Sequence, residues 1–382
     1  MTEKLFYQDS HLTTFSARVE SCEQAGDFYE VVLSRTAFFP TGGGQDADTG
    51  ILGNVRVLDV NERGDVICHI TDGPLPEGEI VEGQIDWEER FSKMQQHSGE
   101  HIVSGLVHAK YGYNNVGFHM GADTITMDYD GVLTLEQLHE IELEANRVVV
   151  GNHPVISLFP TTEEVEHIEF RSKKELAGQI RLVEIPGIDR CACCAPQVKH
   201  TGEIGMIRLL GLQSYKGGVR VYMLCGFRAL EDYYRKSLIT KGLSGMLSAS
   251  EPEIIEEVSR LKDDLADKKN QIEDLKQSLL ERKVKEIPDG EDLVMMFEEL
   301  EGNGPRELMN LLIEKGTGVA AVFSGNDGEG YRYVIGSRQK DTRAIAKKLN
   351  ETFCGRGGGK PEMVQGSLVG EAAAIRKLLQ NC

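Results

Sequence analysis

The sequence predicts an α+β multidomain protein. It has a small N-terminal β-barrel, an α/β domain rich in histidine and cysteine, a long helical arm of coiled-coil type, and a C-terminal α/β domain. Three observations predict this. The first 85 residues hold short alternating runs between turn clusters. Residues 254–279 repeat apolar positions in heptads, and residues 292–382 alternate strand-like and helical runs. A chain of 382 residues also exceeds what one hydrophobic core usually serves.

Residues 1–85 carry the alternating runs Phe15–Val19, Tyr29–Leu33, Val55–Val60 and Val66–Ile70, parted by GD, TGGGQDADTG and NERGD. Short strands at that spacing suggest a small barrel or sandwich. Residues 86–234 open on a helix, because Phe91, Met94, His97, His101 and Val103–Leu106 recur at three- and four-residue spacing. A second helix spans 134–150, with Thr134 as N-cap and Gln137 completing a capping box. Residues 235–288 form the arm. Ile254, Val258, Leu261, Leu265, Lys268, Ile272, Leu275 and Leu279 follow alternate spacings of four and three, with one polar intrusion at Lys268. This is either a coiled-coil contact, within the chain or between two copies, or one solvent-washed helix. Pro288-Asp289-Gly290 ends it. Residues 289–382 then alternate the strands Leu293–Phe297, Val319–Phe323 and Tyr331–Ile335 with the helices Arg306–Lys315, Thr342–Phe353 and Gly370–Leu379.

The net charge of −19 argues against a nucleic-acid partner for the chain as a whole. From Ile335 to Cys382, however, nine Lys/Arg face four Asp/Glu, so the tail alone has the electrostatics to meet RNA. No apolar run approaches the roughly 18 residues a membrane span requires. The opening MTEKLFYQDSHLTTF lacks a basic head followed by an apolar stretch, so a cytoplasmic location is expected. Eight cysteines in such a chain read as reduced thiols or metal ligands.

Four motifs carry candidate chemistry. His97 and His101 share a helix face, so both imidazoles can reach one metal ion, although this HxxxH lacks the Glu of the metalloprotease HExxH. Two ordinary histidines are the plain alternative. Cys191, Cys193 and Cys194 are dense for mere packing, and a thiolate with two imidazoles is three-quarters of a tetrahedral zinc site. In Phe39-Pro40-Thr41-Gly42-Gly43-Gly44-Gln45, three glycines let backbone amides approach a ligand, or simply turn a hairpin. In Gly355-Arg356-Gly357-Gly358-Gly359-Lys360, two cations thread a flexible loop that suits a phosphate or RNA end, or is only a mobile loop.

Taken in order, the four motifs resemble the editing half of alanyl-tRNA synthetase and the free-standing AlaX-type alanyl-tRNA editing proteins, over essentially the whole chain. The cysteine motif runs into Thr201-Gly202-Glu203-Ile204-Gly205, and GRGGGKPEMVQG at Gly355–Gly366 resembles the DHHA1 domain. The resemblance implies a zinc-binding α/β editing domain and a cofactor Zn2+ held by His97, His101 and Cys193. One departure stands out. The family motif is Cys-x-x-x-His, and counting back from Thr201 puts Gln197 where the histidine falls. Water, Gln197, His200, Cys191 and Cys194 are the candidates for the fourth position.

The resemblance also implies the reaction, a deacylase that hydrolyses Ser-tRNA(Ala) and then Gly-tRNA(Ala) at the acceptor end. An alanine-sized apolar pocket rejects an added hydroxyl poorly, so a second hydrolytic site is needed. Thr41 is the candidate reader of the serine hydroxyl, Gln45 the residue orienting ester or water, and Glu100 a candidate base. Zinc anchors the amino acid or adenosine and polarises the ester, or activates a water. Arg356, Gly357, Gly358, Gly359 and Lys360 are the RNA-binding candidates, with the arm setting their distance from the barrel. A homodimer through the arm or the terminal domain is expected. ATP binding is also expected by family resemblance, although the sequence opens on the barrel without an aminoacylation core. Two rivals remain: a non-catalytic zinc- or RNA-binding protein on this scaffold, and a DHH-type phosphodiesterase, against which the absence of a DHH triplet counts.

Overall fold

A computed structural model describes residues 1–121, 123–172 and 180–381. The chain divides into two compact units, Met1–Gly242 and Leu243–Cys382. In the first unit, β1 (Thr14–Ala25), β2 (Phe28–Leu33), β3 (Gly50–Leu52), β4 (Val55–Arg63), β5 (Val66–Thr71) and β6 (Ile80–Ile85) close into a barrel in the order β1-β2-β5-β4-β3-β6. Every pairing is antiparallel. Val19, Val31, Leu33, Leu52, Val57, Val60 and Ile67 fill the interior, none more than 1% exposed. Strand β3 escapes the sequence pattern because Gly50–Leu52 is too short to show alternation, and β6 because Gly83 stands at one of its inward positions.

One polar side chain is sealed among them. His69 Nδ1 donates to the Val31 carbonyl at 3.0 Å, and Thr36, whose Oγ1 lies 2.8 Å from Nε2, donates to that nitrogen. Complete burial holds the imidazole neutral and pushes its pKa down to about 4. The unfolded chain binds this proton near pH 6.5, so it gains protons below that value while the folded chain does not. Stability from His69 is therefore full above pH 6.5 and lost as pH falls toward 4. At about 1.4 kcal/mol per pH unit the loss reaches roughly 3 kcal/mol. Urea unfolding at pH 7 and pH 4 should show it, and His69→Gln should flatten the difference.

Helix α1 (Trp87–Tyr111) leaves the barrel, with Glu88 and Glu89 in its first turn and Gly112 (φ 73°) closing its end. Strands β7 (Asn115–Met120) and β8 (Ile125–Tyr129) follow, then α2 (Leu135–Val150). Thr134 caps α2 and both bonds of the capping box with Gln137 are present. Next, β9 (Ile156–Leu158), β10 (Leu182–Ile185) and β11 (Asp189–Ala192) form an antiparallel three-stranded sheet that delivers the cysteine segment. The long hairpin β12 (Ile207–Tyr215) and β13 (Gly218–Cys225) joins β8 and β7 in a sheet ordered β12-β13-β8-β7. Met94, Ile102, Val103 and Val107 of α1 share one core with Ile125, Met127, Val221 and Met223 of that sheet. Helix α3 (Gly226–Leu247) comes next.

In the second unit, α4 (Ile254–Lys285) contains the heptad run. Val258, Leu261, Leu265, Ile272, Leu275 and Leu279 are all at least 40% exposed, so this seam faces outward. Beyond it lie β14 (Leu293–Phe297), α5 (Gly304–Glu314), β15 (Val319–Asn326), β16 (Gly330–Gly336), α6 (Thr342–Thr352), β17 (Arg356–Lys360), β18 (Met363–Leu368) and α7 (Ala372–Gln380). The sheet order is β14-β15-β16-β18-β17. Of its pairs only β14 and β15 run parallel, joined over α5. The turns after Asn326 and Lys360 are too short for a crossover, so β15–β16 and β17–β18 are antiparallel, and β16 and β18 pair antiparallel as well. Among the described residues no helix is long and apolar enough to cross a membrane.

The glycine-rich segment is corrected most clearly, because residues 356–360 form edge strand β17 rather than a loop. A Cβ on Gly357 would meet the Gln365 carbonyl oxygen and Tyr333 Oη at 2.5 Å, and one on Gly359 the Met363 carbonyl at 2.3 Å. Only glycine allows this backbone to lie so close to its partner.

Candidate metal centre

Three side chains from two distant points of the chain meet where the barrel, α1 and the cysteine segment converge. The ligand atoms of His97, His101 and Cys193 all lie within 4.8 Å of one another. The helical repeat puts His97 and His101 on one face, their rings 5.5 Å apart and nearly parallel at 19°. Cys193 follows β11, tied by its amide to the Arg181 carbonyl. Arg181 returns two bonds from Nη1, to the carbonyls of Cys193 (2.8 Å) and Ala195 (2.9 Å).

Each imidazole is turned by a second partner. His97 Nδ1 donates to Gln45 Oε1 at 3.1 Å, leaving Nε2 3.4 Å from Cys193 Sγ. His101 Nδ1 donates to Asp189 Oδ2 at 2.8 Å. Its Nε2 is buried without a hydrogen-bond partner. Both Nδ1 protons are thus committed to oxygen acceptors, so each imidazole has only Nε2 to offer a metal, on His101 after that nitrogen gives up its proton. Burial lowers the His101 pKa, but the Asp189 and Cys193 contacts prevail and lift it to about 9. Burial likewise raises the Cys193 thiol, yet the His97 charge and the closeness of both imidazoles hold it well below its ordinary value. A thiolate and two imidazoles aimed at one point suit zinc, at roughly 2.0–2.3 Å from each.

Gln45 arrives on a tight turn. Gly42 and Gln45 exchange backbone bonds of 3.0 Å, with Gly43 at φ 62° and Gly44 at φ 84° between them. Added Cβ atoms would meet Cys194 Sγ at 3.0 Å from Gly43 and Phe118 at 2.8 Å from Gly44, so both positions exclude side chains. Thr41 is exposed on the same turn, and its Oγ1 accepts from the Ala47 amide at 3.1 Å. Gln197 lies beside Cys193. Ser98 donates to its Oε1 at 2.6 Å, and its Nε2 sits 3.5 Å from the Cys193 sulfur.

The other sequence candidates have different surroundings. Glu100 is fully buried, and its Oε1 accepts from Ser104 and Asn115 at 2.7 Å, a bonded place in the core. His200 is half-exposed and pairs with Glu203 at 3.8 Å. Burial, then the neighbouring Cys193, push the Cys194 thiol up to about 11. Arg356 through Lys360 belong to the second unit. The sequence reading gave no role to Asp189, Arg171 or Ser98. Arg171 Nε and Nη2 grip Asp189 at 2.7 and 2.9 Å. Asp189, His101 and Cys191 form a second cluster among the described residues, but that guanidinium fork already occupies both carboxylate oxygens. Asp189 therefore serves the first cluster by orienting His101. No local spacing announces such a partner, because 88 residues separate the pair.

Residues 2–89 match the family described as tRNA synthetases class II (A), and residues 180–222 match the threonyl and alanyl tRNA synthetase second additional domain. The second match contains Cys193 and Gln197. Alanyl-tRNA editing protein AlaX-L of Pyrococcus horikoshii is 30% identical over 75% of this chain and 74% of its own length. The chain belongs to the AlaX-type alanyl-tRNA editing family. Alanyl-tRNA editing protein Aarsd1-B of Xenopus laevis is 29% identical to this AlaX-type chain, over 92% of it and 88% of its own length. Alanine–tRNA ligase of Methanoregula boonei is 34% identical over 96% of this AlaX-type chain, which spans only 41% of that ligase. Two of these relatives are named for alanyl-tRNA editing and the third for joining alanine to tRNA.

Proposed function

We propose that this chain is a trans-editing hydrolase that deacylates Ser-tRNA(Ala), and secondarily Gly-tRNA(Ala), at the His97–His101–Cys193 centre. One observation carries the reading: the metal-ligand triad lies directly against the Thr41–Gln45 turn through the Gln45–His97 bond. A zinc ion there supplies Lewis acidity, toward the ester or toward a water. The protein's own groups do the rest. Gln45 Nε2 is buried and unbonded, so it is available to hold the ester carbonyl or the attacking water in place. Thr41 uses its oxygen as an acceptor for Ala47, which leaves its hydroxyl proton for the serine side chain. Glu100 is left out of this scheme, since its bonds to Ser104 and Asn115 fix it in the core.

Single-turnover deacylation of Ser-, Gly- and Ala-tRNA(Ala), with bound metal counted in the same preparation, tests this reading. Rapid loss of serine with alanine spared is expected. A fully metal-loaded protein inert on all three would instead fit a non-catalytic RNA-binding role. Thr41→Val should slow serine release by roughly 3- to 10-fold, the worth of one neutral hydrogen bond, and leave glycine release unchanged. Equal slowing of both would remove Thr41 from substrate reading.

The second unit is proposed as a DHHA1-type domain that holds the tRNA body in the cytoplasm. Arg343, Lys347, Asn350 and the single carboxylate Glu351 of α6 line a groove with Gly357, Gly358 and Gly359 of β17. This places cations beside bare backbone, as phosphate contacts require. The outward apolar seam of α4 is proposed to pair with a second copy, because its heptad period fits an identical helix. Leu265→Asp should convert a dimer to a monomer in sedimentation equilibrium, and an unchanged mass would dismiss the seam.

A further inference from the structure

We propose that Gln197 acts as a hydrogen-bond donor to the Cys193 sulfur and stays outside the coordination sphere, leaving a three-ligand centre with one open position. The inference rests on the reading of His97, His101 and Cys193 as a metal site, and concerns the position where the family resemblance places a histidine.

The orientation of the Gln197 amide decides the matter. Ser98 Oγ accepts the Val198 amide at 3.2 Å, so its own proton is free to be given to Gln197 Oε1, 2.6 Å away. The other end of the amide faces two acceptors, the Ala195 carbonyl at 3.4 Å and Cys193 Sγ at 3.5 Å. Reversing the amide would press its oxygen against a carbonyl and a thiolate. Ser98 is fully buried and Gln197 3% exposed, so these groups must find partners inside the protein. Swinging Oε1 toward a metal would abandon the buried Ser98 hydroxyl and remove the donor from Cys193 together. An amide oxygen is also a poor ligand beside imidazole and thiolate.

Two consequences follow for the centre. Cys193 receives an N–H bond, which draws electron density from the sulfur and weakens its donation to a metal. The fourth tetrahedral position has no protein donor from this segment, which is the arrangement of catalytic rather than structural zinc sites. A water, or an oxygen or nitrogen donor of the substrate, is the class of ligand that fills it.

Cobalt(II), added to metal-free protein, is the probe. In the intact protein and in Gln197→Ala, one cobalt per chain and the same ligand-field bands are expected. The sulfur-to-cobalt charge-transfer band should move to longer wavelength in the variant, because the N–H donor is gone. Gln197→His should change the ligand-field bands by adding a ligand. Gln197→Leu, closer in volume, gives the same reading should the alanine variant not fold. Altered ligand-field bands in both the Ala and Leu variants would make Gln197 a ligand and overturn the inference while leaving the metal site standing. A folded wild-type protein that binds no cobalt would overturn both.

Discussion

Cys193→Ala is expected to fold, to lose its bound metal and to lose deacylation of Ser-tRNA(Ala) by more than about 100-fold. Cys193 contributes the one sulfur of the triad, and its thiol is held well below the ordinary range by the two imidazoles around it. Without the thiolate, His97 and His101 keep their orienting bonds to Gln45 and Asp189 but form an incomplete, uncharged ligand set. Metal stabilisation of developing charge is worth several kcal/mol, and each 1.36 kcal/mol is tenfold in rate. Metal content and single-turnover rate measured together decide the point. A variant that keeps its metal and stays within a few-fold of the parent rate would remove Cys193 from the centre. Unfolding curves that coincide with the parent's would show that the loss is local.

The second large effect is expected at Arg90, in the first turn of α1. Its guanidinium and the Asp48 carboxylate are each 1% exposed. Arg90 Nε lies 2.9 Å from both Asp48 oxygens, and Nη2 also bonds Asp48 and the Ala37 carbonyl. Nη1 reaches the Ser10 carbonyl at 3.0 Å, and Asp48 in turn accepts the Phe39 amide at 2.6 Å. This cluster ties the root of the Thr41–Gln45 turn to the helix that carries both histidines. Arg90→Ala strands a buried carboxylate and two carbonyls, and breaking such a pair costs about 3–5 kcal/mol. The urea midpoint should fall accordingly. Arg90→Lys should restore little, because one ammonium cannot replace a planar fork with several fixed donors. A loss below about 1 kcal/mol would mean that water or a local shift relieves Asp48. Because the turn is loosened, the serine-specific rate should fall more than metal content does.

Elements with a strong local period were legible in the sequence. The α1 face bearing His97 and His101, the Thr134 cap of α2 and the strand Leu293–Phe297 all lie where their patterns put them. Spacing alone also picked out His97, His101 and the crowded thiols Cys191, Cys193 and Cys194, from which the family resemblance singled out Cys193. The heptad of α4 was readable as a pattern, but its partner was not, because periodicity states which face is apolar and not what covers it.

What remained hidden depends on atoms distant in sequence. The glycines of β17 read as a loop because glycine is conformationally free. Only the nearness of Met363, Gln365 and Tyr333 makes a strand of them. Glu100 resembled a base until Asn115 and Ser104 came to it in the core. Asp189 and Arg171 acquire their meaning through a single bond to His101 across 88 residues. The sequence by itself determined which side chains were available to the centre and which helix face presents two of them. The tertiary structure decided the direction of each imidazole and of the Gln197 amide. Those directions depend on acceptors held at about 3 Å by other elements, and a hydrogen bond is directional where the hydrophobic pattern is not.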